Sequence, residues 1–146
     1  MAAKTNYLEN QMIDWFFRGQ TFTPPTNFHY ALFTVAPTDA GGGTEVSGGS
    51  YARVSVARSL TSFAGTQSAG STTASTGTGG TTSNNAAITF AAPTANWGSI
   101  VAVGVFDAAT GGNLLLYGNL TQAKTVNNGD AAPSFPAGTF TFQEDN

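Results

Sequence analysis

Residues 99–107, SIVAVGVFD, set Val101, Val103 and Val105 on one side of an extended chain and Ile100, Ala102 and Phe106 on the other. A strand that is apolar on both faces needs cover on both faces, so this segment predicts a central strand inside a layered β-fold. The AATGG that follows is turn material, and NLLLYGNLT at 113–121 returns antiparallel as a hairpin partner. Other β-type runs are FHYALFTV at 28–35, YARVSVA at 51–57, Ala86–Phe90, a short piece at Lys124–Val126, and TFTFQ near the end, where Phe140 and Phe142 share a face. In the 51–57 run Ala52, Val54 and Val56 alternate with Tyr51, Arg53 and Ser55. About seven short strands with frequent turns predict an all-β fold, an antiparallel β-sandwich or jelly-roll-like domain.

A short N-terminal α-helix is expected over 5–18. Leu8, Met12, Trp15 and Phe16 recur at helical spacing, Asn6 and Glu9 suit a capping box, and Gly19 suits the left-handed residue after the last turn. Tyr7, Ile13 and Phe17 widen the apolar face beyond what one buried side needs. Residues 65–85, GTQSAGSTTASTGTGGTTSNN, hold no charge and no aliphatic larger than Ala. Such a stretch cannot bury enough apolar area to offset its ordering, and reads as a flexible Gly/Ser/Thr loop or arm. The length of 146 residues suits a single domain spanning 1–146, with the sandwich at 28–143.

Charge narrows the function. Only 9 % of residues are charged, the net charge is −3, and five are basic: Lys4, Arg18, Arg53, Arg58 and Lys124. Phosphate recognition works through clustered Lys and Arg, so nucleic acid is not an expected partner. The N-terminus has no signal-peptide core, no apolar run reaches the ~20 residues of a membrane span, and no membrane partner is expected. Cysteine is absent, which fits a chain made in a reducing host cytoplasm.

The residues predict no enzyme and no cofactor. His29 is the one histidine and sits within a strand pattern, and no G-x-S-x-G elbow accompanies it. The carboxylates Glu9, Asp14, Asp39, Glu45, Asp107, Asp130, Glu144 and Asp145 fall mostly in the helix, turns or terminus. A glycosidase pair needs two of them across a cleft, and no metal-binding spacing is present. The glycine pairs and triplets lack the Lys and Ser/Thr of a phosphate loop. Tyr51, Trp97 and Tyr117 could stack on a sugar, although Trp97 beside the 99–107 strand is better read as core.

The order NYLENQMIDWFFRGQTFTPPTNFHYALFT, GGGTEVSGGSYARVSV, TANWGSIVAVGVFDAATGGNLLLYGNLTQAKTVNNGD and FPAGTFTF resembles a family of small β-rich virion proteins of tailed bacteriophages. The match covers nearly the whole chain outside 65–85. Members are often labelled tail-fibre proteins, and similar small β-proteins are cement or decoration proteins of phage heads. A fibre shaft normally shows heptads or a collagen-like period, and neither occurs here. The expectation is therefore a capsid decoration protein on the virion's capsid surface. It would bind the major capsid protein, stabilise contacts between capsomers, and form a homo-oligomer. Tyr7, Met12, Trp15 and Phe17 are the candidate anchor. The alternative is a tail-fibre or tail-tip-associated protein, for which glycan is one candidate ligand.

Overall fold

A computed structural model describes residues 2–144. It contains one helix and ten short or long strands among those residues. In chain order these are β1 (Ala3–Lys4), α1 (Asn6–Phe17), β2 (Asn27–Val35), β3 (Thr44–Glu45), β4 (Val54–Ala57), β5 (Thr81–Ser83), β6 (Ile88–Thr89), β7 (Gly98–Phe106), β8 (Leu114–Val126), β9 (Ser134–Phe135) and β10 (Thr141–Gln143). The architecture is an all-β antiparallel sandwich of jelly-roll-like form with a short N-terminal helix. The main sheet runs β1-β8-β7-β2, and the outer side of β2 is shared by β3 and β4. Two small antiparallel ladders, β5 with β10 and β6 with β9, supply the facing layer. No helix among the described residues is long and apolar enough to cross a membrane.

The strand at 98–106 is central, as its two apolar faces require. Val103 and Val105 join Tyr30, Leu32, Ile88, Phe90 and Phe140 in the main core between the layers. Ala102 packs on the opposite face with Ala31 and Phe33. The faces are not the ones the alternation predicts at its start: Ile100 lies in the main core and Val101 packs with Ala102. The cause is an irregularity in the pairing with β8 between Ile100 and Ala102. A slip of register turns every side chain beyond it to the other face. β8 is also longer than its partner, 13 residues against nine, because two such slips absorb the excess. The pieces expected separately at 113–121 and 124–126 are thus one strand.

Gly104 makes the second face close. A Cβ there would stand 2.7 Å from the Phe33 ring and 2.8 Å from Leu114 Cδ1, so only glycine lets both side chains cross the strand. Phe33 in turn lies parallel to Phe106, with ring centroids 6.2 Å apart.

Three further boundaries differ from expectation. The 51–57 run is strand only at Val54–Ala57; Tyr51 turns into the main core, where it stacks on Phe90. The uncharged 65–85 stretch ends sooner, because Thr81–Ser83 pairs with β10 and Asn84 is buried. Asn84 earns that position by donating to the carbonyls of Ala86 and Pro136 and accepting from the Phe140 amide. Between them, Gln67 organises the loop by bonding Ser71, Thr73 and the Thr76 amide. Finally, β1 precedes the helix: Ala3 and Lys4 pair with Tyr117 and Leu116 at the edge of the main sheet. Two residues give no periodicity to read.

Candidate functional site

The helix is attached at its root. Thr5, not Asn6, is the N-cap; its hydroxyl oxygen accepts weakly from the Leu8 amide at 3.5 Å. The same hydroxyl donates to Leu114 O at 2.6 Å, and the Thr5 amide donates to Leu115 O. The Asn6 amide donates to Asp39 O. Thr5 is buried, yet no residue of α1 itself is. At the other end the Arg18 amide donates to Asp14 O and Gly19 takes the left-handed conformation.

Helical spacing divides the apolar side chains of α1 into two stripes. Leu8 and Met12 are half-buried and line one wall of an open apolar groove of about 620 Å³, whose other walls include Phe22, Phe28, Leu60, Phe63 and Leu116. Trp15 continues this stripe past the groove and is 57 % exposed. Glu9, Ile13 and Phe16 form the outward stripe, flanked by Phe17. Phe16 is 71 % and Phe17 77 % exposed, and their rings meet edge-on with centroids 4.8 Å apart. Large aromatics left this open, in one contiguous patch, make this face the candidate interaction surface.

The structure therefore puts Tyr7, Trp15 and Phe17 on the exposed surface and turns Met12 toward the groove. Phe16 and Ile13 are the additional exposed members; sequence spacing had grouped Phe16 with the inward residues. The groove has no sequence signal, since its walls come from stretches far apart in the chain.

The other candidates are engaged in the fold. Trp97 is 5 % exposed, donates from Nε1 to Gly49 O, and meets Tyr51 edge-on at 5.4 Å. The Tyr51 hydroxyl accepts from the Leu32 amide and donates to Glu45. Burial raises the pKa of the Tyr51 phenol, and the neighbouring Glu45 carboxylate adds to the rise. Tyr30 is raised by burial alone. Tyr51 and Trp97 are thus core side chains, and Tyr117 lies apart on β8, so the three make no sugar platform.

Each described carboxylate outside Glu9 has a local partner. Asp14 pairs with Arg18, Glu45 with Arg53, and Glu144 with Lys4. Asp107 accepts from the Asn113 amide and side chain, Asp130 from the Asn127 amide, and Asp39 from the Ala40 amide. Asp145 lies outside the described residues. Among the described residues no cluster of three His, Asp or Glu side chains could hold a metal ion. His29 Nδ1 is buried without a partner on the strand between Ser55 and Phe106.

A family model described as podophage GP4 fiber I protein gp80 matches residues 3–143. No curated protein matches the chain. The match corrects the placement on the phage head. A fibre family overturns the expected capsid decoration or cement role, capsid stabilisation, the major capsid protein as partner and the capsid surface as location. Heptads and collagen periods belong to stalks, and a compact β-chain without them still falls in a fibre family. With nearly its whole length matched, the chain belongs to the podophage GP4 fiber I protein gp80 family.

Proposed function

We propose that this chain is a structural component of a podophage tail fibre, without catalysis of its own, and that it joins the particle through the aromatic face of α1. The observation that supports this most directly is the patch of Trp15, Phe16 and Phe17, which no part of the described chain covers. Folding leaves these three side chains in water at a cost that a docked neighbour would remove. Tyr7 and Ile13 extend the patch, and Met12 contributes to the groove wall beside it. The partners are other tail proteins. Absence of reaction chemistry is part of the proposal, and it is supported by the local engagement of the carboxylates described above.

The test is incorporation. Phage carrying Phe16→Asp with Phe17→Asp should yield purified particles that lack the protein, although the isolated variant folds with an unchanged circular dichroism spectrum. Antibody label on wild-type particles should sit at the tail. Full retention of the double variant on particles would refute the docking role of α1, and label spread over the head would refute the tail assignment.

A further inference from the structure

We infer that the groove beside α1 receives the outward stripe of α1 from a second copy of this chain, so that copies join head to tail. The inference rests on the proposed docking role of α1 and names its partner. Projection and receptacle occur on the same molecule: an aromatic tip of Phe16 and Phe17, and an open groove of about 620 Å³ whose lining is mostly apolar. That volume is within the ~300–1,000 Å³ of pockets that enclose a compact apolar group.

Charge complementarity selects the second copy as occupant. Among the described residues Glu9 is the one charge of α1 in no ion pair, since Asp14 and Arg18 hold each other. It lies one and two turns before Ile13 and Phe16 on the outward stripe. The groove is lined by two charged residues, Arg58 and Glu144; Glu144 is held by Lys4, and Arg58 has no ion-pair partner among the described residues. A stripe entering the groove brings an unpaired acid toward an unpaired base.

At ~200 Å² of buriable surface per aromatic side chain, the exposed parts of Phe16 and Phe17 offer roughly 300 Å². A specific interface takes ~800 Å² from each partner, so Glu9, Ile13 and the surface beside the tip must supply the rest. A contact between two different patches of one chain is heterologous. Repeated, it closes into a ring or extends as a filament, according to its rotation.

Sedimentation velocity on the purified full chain tests this. The wild type should associate as concentration rises. Phe16→Asp, on the tip, and Leu60→Asp, an exposed residue of the groove, should each weaken association about 30-fold or more, the scale of a hot-spot loss. Mixed together, the two variants should form one-to-one pairs, because one retains the groove and the other the tip. Glu9→Arg should weaken association, and adding Arg58→Glu should restore it.

A wild type that stays monomeric at every concentration overturns the inference. So does unimpaired association of Leu60→Asp, which would mean helix-to-helix contact. So does concentration-independent burial of Trp15, read by its fluorescence, which would mean that α1 closes on its own groove. A monomeric wild type combined with loss of Phe16→Asp from particles defeats the second copy alone and leaves the fibre reading standing.

Discussion

Arg53 does more for this fold than its place in a short strand pattern suggests. Its guanidinium holds Glu45 through two bonds of 2.9 and 2.7 Å, donates to the carbonyls of Ala108 and Gly111 at 2.8 Å each, and lies 3.5 Å from the centre of the Phe106 ring. One planar cation thus ties the β7–β8 turn to the β3 edge. Arg53→Ala leaves Glu45 half-buried without its counterion and frees two turn carbonyls. A loss of about 2–4 kcal/mol in urea unfolding is expected, and Arg53→Lys should recover less than half of it. A change below ~0.5 kcal/mol would contradict the tying role. The phenols of Tyr30 and Tyr51 give a second residue-scale test. Their native pKa values lie above the unfolded value of ~10, because burial disfavours the charged form. Their contribution is complete below pH 10 and is lost as pH rises beyond it, where the unfolded chain sheds protons that the native state keeps. Stability should fall there by up to ~1.4 kcal/mol per pH unit for each phenol, and Tyr51→Phe should flatten that slope. Of these features the sequence showed the alternation of Arg53 with Val54. It could not show the Glu45 pair, because loop residues bring those partners together without a period.

Among the elements, α1 and β7 are opposites. β7 is paired on both sides and covered on both faces, and its apolar pattern announced it. α1 was legible as a helix for the same reason, and its seven apolar residues on twelve are more than one buried side needs; the helix buries none of them. Apolar spacing reports which side chains share a stripe, and it is silent on whether this chain or another one covers that stripe. The register slips in β8 were illegible too, since a bulge is set by pairing rather than composition. Attachment chiefly at its root, through Thr5 and Asn6, predicts unequal protection in hydrogen exchange. Amides of α1 beyond its first turn should exchange at least ~100-fold faster than those of β7 in the isolated protein. Equal protection would show that the helix is packed in solution. Thr5→Val removes the donor to Leu114 O and the cap together, and should speed exchange of α1 further while leaving β7 unchanged.

At the scale of the whole molecule, cohesion is apolar and aromatic. Three ion pairs occur among the described residues, and two of them have partners exposed enough for salt to screen. Unfolding free energy should therefore shift by less than ~0.5 kcal/mol between low and moderate sodium chloride, while sulfate should strengthen both folding and any association of copies. A large loss of stability in sodium chloride would contradict this balance. The order of the main sheet carries a last consequence. One border is β1, two residues long, and the other is divided between β3 and β4, of two and four residues. These border strands are short and interrupted, although β1 covers only Leu116 and Tyr117 of β8, whose outer side has no strand partner beyond them among the described residues. Where the border is made of such short strands it offers little template for edge-to-edge pairing, so recognition of a neighbour there falls to the shapes and charges of side chains.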